Sequence, residues 1–91
     1  GTVLSGMIKT NVTISDFTSY NYTETRTQTV TVTGAIVNGS VIVNPRSALP
    51  AGVGVGWARV SSANTVTIAF INTDTSSKYI GTVTFDITVI Q

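Results

Sequence analysis

The side chains here that could do chemistry are four carboxylates, Asp16, Glu24, Asp74 and Asp86, and five cations, Lys9, Arg26, Arg46, Arg59 and Lys78. Around them stands a large stock of hydroxyls and amides. There is no histidine and no cysteine, so neither an imidazole base nor a thiolate nucleophile is on offer. Asp16 and Glu24, with Asp74 as a third, are the groups from which a glycosidase-like carboxylate pair could be drawn. Solvated charges at strand ends account for them better. Asn72-Thr73-Asp74 presents oxygens to calcium, but one carboxylate falls short of a calcium cage. A turn-forming Asx cluster suits the spacing. The expectation is therefore of no catalytic residue, no cofactor and no metal ligand.

Aromatic residues offer binding chemistry instead. Tyr20 and Tyr22 are two apart, share one face of an extended segment, and stand beside Glu24, Arg26 and Gln28, a row that could stack on a sugar and hydrogen-bond its hydroxyls. Tyr20, Tyr22, Glu24 and Arg26 are the expected contacts to a ligand or host glycan. Cross-strand aromatic pairs also stabilise ordinary sheets, and Trp57 is expected in the core.

These residues must be positioned by strands. Thr23, Thr25, Thr27, Thr29, Thr31 and Thr33 fall on one face of a segment whose other face runs from Tyr20 to Val30 and Val32, turning apolar midway. The spacing of that threonine row is that of ice-binding faces, which need several strands in register; one strand carries it here, and a packed or hydrated edge is the better reading. Gly34-Ala35 ends the segment, and Asn38-Gly39 signals a turn before Val41-Ile42-Val43. Asn44-Pro45-Arg46 breaks that strand, and Ala48 to Gly52 reads as a loop. Val53, Val55 and Trp57 then alternate with Gly54 and Gly56, and a short Ser61-to-Thr65 segment joins them to Val66, Ile68 and Phe70 as a hairpin. Thr73 to Ser77 is a loop. Val83, Phe85, Ile87 and Val89 alternate with Thr82, Thr84, Asp86 and Thr88, the pattern of a half-buried antiparallel strand.

Before Asn21 the reading is coarser. Val3, Leu4, Met7, Ile8, Val12 and Ile14 suggest one or two short strands interrupted at Ser5-Gly6. With no helical periodicity, the class is all-β: a small antiparallel β-sandwich, jelly-roll or Ig-like, of about six to eight strands. Residues 1–91 read as one such domain, with 1–29 the less certain part.

A chain of 91 residues buries only roughly 60–65% of the surface it exposes when unfolded. Without disulfides or a structural metal, association with other copies is the common remaining support. Charged residues are 10% and hydrophobic residues 42% of the chain, against about 25% charged in an average soluble domain. Hydroxyls and amides replace charge, which lets strands approach neighbouring chains without burying ions. The net charge of +1 is scattered singly, so there is no clustered basic surface for nucleic acid. The longest apolar run, Ala48 to Ala58, is interrupted by Pro50 and glycines and is far below the about 20 residues of a membrane span. Gly1 to Thr10 shows no signal peptide. Asn11-Val-Thr13, Asn21-Tyr-Thr23 and Asn38-Gly-Ser40 match the glycosylation sequon, matches that composition alone produces.

Gly52, Gly54 and Gly56 form an unusual row. Glycine weakens an isolated strand, so such a row implies close approach of another backbone or a sharp twist. The partner is the same chain or another copy; the scarcity of other stabilising devices favours the copy, and these three are the expected subunit contacts.

Val32-Thr33-Gly34-Ala35, Val41 to Pro45, Ala48 to Gly52, Ala58 to Ile68 and Phe70-Ile71-Asn72, followed by Thr84-Phe85 and Thr88-Val89-Ile90, resemble a small β-sandwich domain of tailed-bacteriophage structural proteins, the head-fibre, tail-fibre and appendage type. The resemblance covers roughly residues 30–90, and Val60 to Val66 is its most specific part. Where that family has a Pro-Ala-Ser type loop before the last strand, this chain has Ser76-Ser77-Lys78-Tyr79-Ile80. The resemblance implies a non-enzymatic virion component, capsid- or tail-attached, a homotrimer contacting other virion proteins. The alternative class is a monomeric carbohydrate-binding or adhesin-type module, extracellular, with Tyr20, Tyr22 and Trp57 exposed.

Overall fold

A computed structural model describes residues 6–21 and 24–91. The strands are β1 (Met7–Asp16), β2 (Thr25–Thr31), β3 (Ser40–Pro45), β4 (Val53–Ser62), β5 (Thr65–Asn72) and β6 (Gly81–Ile90). They form two three-stranded antiparallel sheets, β1-β6-β3 and β2-β5-β4. There is no helix among the described residues, and the protein is a small all-β sandwich. Val3, Leu4, Tyr22 and Thr23 lie outside the described residues.

Alternation of apolar and hydroxyl side chains is what makes these elements. On β6, Val83, Phe85, Ile87 and Val89 are buried, and the opposite face carries Thr82, Thr84, Asp86 and Thr88. On β5, Val66, Ile68 and Phe70 face them from the other sheet, all fully buried. Phe70 and Phe85 meet across the sheets with ring centroids 5.5 Å apart at 56°, within the tilted geometry that aromatic quadrupoles favour. Val60 of β4, Val32 and Ile14 complete the core, with Val12, Val30, Val41, Val43, Val53 and Val55 packed partly buried around it. The two central strands are therefore the most deeply buried, and each sheet keeps two uncapped edges.

On the outer faces hydroxyls do the work that charges do elsewhere. Thr13 bonds Thr84 at 2.9 Å and Ser15 bonds Thr82 at 3.1 Å between β1 and β6. Thr25, Thr27, Thr29 and Thr31 all point outward on β2, with the alternate residues turned to the core side, as the sequence pattern requires. Thr29 and Thr31 stand opposite Thr67 and Thr65 of β5, so hydroxyls recur on two strands and not on a broader array.

The β4–β5 turn is fixed by Asn64, at φ 63°, a conformation Asn tolerates better than most residues. Its backbone N–H donates to Ala35 O, its carbonyl accepts from Val32 N–H, and its side-chain Oδ1 accepts from Gly34 N–H at 2.7 Å. One turn residue thus clamps the β2–β3 loop at the end of the sandwich where Gly6 and Gln91 pair. The β1–β2, β3–β4 and β5–β6 loops gather at the opposite end.

Trp57 does not share the core with Val53 and Val55; it is 48% exposed. Val55 stands opposite Phe70 and Trp57 opposite Ala69, so Gly56 is an extra residue on β4, a β-bulge. One inserted residue reverses the parity of everything after it. Ala58 and Val60 consequently take the inward places.

Candidate functional site

Three places gather side chains with chemistry: the buried end of β1, the outer face of β4, and the loop cluster.

At the end of β1, Asp16 is buried. Its carboxylate accepts from Thr18 N–H (2.9 Å), Tyr20 O–H (3.0 Å) and the Gln28 amide (2.8 Å). Burial pushes the Asp16 carboxyl up, but these three donors and the nearby Arg26 guanidinium outweigh it and hold the group below the usual carboxylate range. Tyr20 is fully buried. Burial first, and the adjoining carboxylate second, push its phenol up to about 12. Arg26 lies over the Tyr20 ring at 4.9 Å from its centroid and pairs with Glu24; that guanidinium and the Asn21 N–H bond hold the Glu24 carboxyl low.

The expected sugar platform is therefore rearranged. Tyr20 offers no free face, because its ring is enclosed by the sandwich and by Arg26; Glu24 and Arg26 satisfy each other at the rim; Tyr22 lies outside the described residues. The row is an interior polar network with a charged cover. Its carboxylates are engaged by donors of the chain itself, so Asp16 and Glu24 make no open acid–base pair here.

The glycine row divides. Gly52 is a turn residue with φ +84°, and a Cβ there would stand 2.7 Å from Asp74 Cβ; the close partner is the same chain. Gly56 is the bulge. Gly54 lies on the outer face opposite Ile71, and a Cβ there would meet nothing within 4 Å among the described residues. Gly54, Trp57 and Arg59 thus line the outward side of an edge strand. Trp57 flanks Ala69, and Arg59 flanks Thr67.

At the loop end, three connections are knitted together. Tyr20 and Lys78 exchange backbone hydrogen bonds of 2.6 and 3.1 Å. The fully buried Asn72 donates from Nδ2 to Tyr20 O (2.9 Å) and Ser76 O (3.0 Å) and accepts from Asp74 N–H (2.9 Å). Thr73 donates to Gly52 O from both its N–H and its hydroxyl, each at 2.8 Å. Asn72-Thr73-Asp74 thus forms the expected Asx turns, Ser76 N–H donating to Asp74 Oδ1. On this frame Phe17, 66% exposed, and Tyr79, 51% exposed, pack ring to ring with centroids 5.6 Å apart. Beside them opens a cavity of about 310 Å³ lined by Pro50, Ser77, Lys78, Tyr79 and Ile80.

Sequence reasoning missed Phe17 and Tyr79 as surface residues. One signal was available: each is a lone aromatic placed outside the alternating strands, in a stretch of Ser, Thr and Asp or Lys. Their meeting depends on loops brought together by Asn72, which no local pattern shows. No family model, curated protein or solved structure matches the chain.

Proposed function

We propose that this chain is a non-enzymatic structural component of a phage virion, a capsid- or tail-attached fibre or decoration module on the virion surface that acts by self-association and attachment. The observation that carries the reading is Trp57. A bulge turns the sole tryptophan of the chain out of a core it would otherwise enter, and places it on an edge strand beside Arg59 and the open Gly54. Bulges re-aim side chains at functional places, and Trp and Arg are the residue types that anchor protein interfaces. A bare glycine beside them lets a neighbouring chain approach closely. The hydroxyl-rich outer faces add support, since they bury without stranding ions. The partner is a second copy, in the trimer that the resemblance to phage structural modules implies.

Tryptophan emission against protein concentration tests it. Blue-shifting emission and falling acrylamide quenching as copies associate are expected. Emission that stays solvent-like in a sample whose mass shows assembly would place the interface elsewhere.

A second reading, a carbohydrate-binding or adhesin-type module, is favoured by a separate observation, the exposed Phe17–Tyr79 pair beside an open cavity.

A further inference from the structure

The loop end combines features that rarely coincide on a charge-poor surface. Two aromatic rings stand more than half exposed yet are held by mutual packing, and the loops that carry them are locked through the buried Asn72 and the Tyr20–Lys78 backbone bridge. Ordering entropy has thus been met on folding, which leaves a preorganised site. The adjoining cavity of about 310 Å³ is at the small end of ligand pockets, which run from about 300 Å³, and suits one or two rings of a small molecule.

Its chemistry is specific. Pro50, Tyr79 and Ile80 make an apolar wall, while Ser77 and Lys78 put a hydroxyl and an ammonium on the lining. Lys78 Nζ lies 3.8 Å from Asp74 Oδ2, so the polar side carries a cation and an anion together and has no net charge. That combination favours a neutral ligand with an apolar face and several hydroxyls over a charged one. A pyranose has that shape: axial C–H bonds on one face for the tyrosine ring, and hydroxyls at its edge for a donor, an acceptor and a serine.

We infer that the Pro50–Tyr79 cavity binds a neutral pyranose unit, stacked on Tyr79 and flanked by Phe17, with Lys78, Asp74 and Ser77 as its hydrogen-bonding groups. The inference deepens the binding-module reading and holds whether or not the chain self-associates.

Amide NMR spectra recorded against the methyl pyranosides of glucose, galactose and mannose at up to tens of millimolar, with methyl glucuronide as the charged comparison, test it. Expected are saturable shifts at Phe17, Ser77, Lys78 and Tyr79 with at least one neutral glycoside. Tyr79→Ala should weaken binding by about tenfold, the scale of one aromatic contact, and Tyr79→Phe should retain most of it. Asn11→Ala, on the outer face of β1, should bind as the parent does. Unfolding midpoints establish that each variant is folded. Tighter binding of the glucuronide at these residues would overturn the neutral-sugar assignment while leaving a binding module standing. Absence of shifts with all four glycosides, or binding indifferent to Tyr79→Ala, would overturn both.

Discussion

Val55 and Trp57 are two residues apart on β4, yet Val55 packs toward the core and Trp57 lies on the outer face. Gly56 between them is the surplus residue, so its deletion should leave Val55 opposite Phe70 and Trp57 opposite Ala69 in an uninterrupted ladder. A Gly56-deleted chain should fold cooperatively, with solvent-like tryptophan emission in dilute solution. Buried, quench-protected emission or loss of the unfolding transition would show that the bulge has been misplaced.

The Phe70–Phe85 contact is the centre of the core. Phe85→Ala removes a fully buried ring and should cost about 3–5 kcal/mol, against the roughly 5–15 kcal/mol that small domains possess. Denaturant unfolding should show a much lower midpoint with an unchanged slope; an unchanged midpoint would refute the inward register of β6.

Much of this was legible in sequence because the physical rule is local. Val83, Phe85, Ile87 and Val89 hold one parity, and no insertion interrupts β6, so alternation alone placed them. The same rule failed at Trp57, because a single extra glycine in a strand already rich in alternating glycines leaves the pattern looking regular. Tyr20 was read as a strand face; it belongs instead to a loop that folds back so that its hydroxyl reaches Asp16, and only the tertiary structure shows that acceptor. The cavity beside Tyr79 is built from loops some thirty residues apart in sequence, brought together by side chain–backbone bonds of Asn72.

The Asp16–Tyr20 bond sets a pH response at both extremes. Folding lowers the Asp16 carboxyl, so its contribution is present above the unfolded value and lost as pH falls through the folded one. Folding raises the Tyr20 phenol to about 12, so that contribution is full below its unfolded value near 10 and lost as pH rises through about 12. Tyr20→Phe should flatten the alkaline limb of a plot of unfolding midpoint against pH. Asp16→Asn should flatten the acid limb and cost about 1–3 kcal/mol at neutral pH. Parallel curves for the parent and both variants would exclude this linkage.

Gly52 and Gly54 should respond oppositely to a side chain. Gly52→Ala places a Cβ against Asp74 in a left-handed backbone conformation and should destabilise by about 1–3 kcal/mol. Gly54→Val enters open space in the single chain and should be neutral or slightly stabilising in dilute solution, where β-propensity alone acts. At concentrations where copies associate it should weaken assembly by crowding the close approach. Thermal unfolding with and without dilution separates the two effects, and equal destabilisation by both substitutions at low concentration would contradict the placement of Gly54.

Molar mass by light scattering over a concentration series from micromolar to millimolar bears most directly on self-association through the outer face of β4. The parent chain should rise from the protomer mass to three times that value, and Trp57→Ser, with its unfolding midpoint preserved in dilute solution, should remain at the protomer mass. A parent chain that stays monomeric throughout the series, or a Trp57→Ser variant that assembles as the parent does, would contradict it.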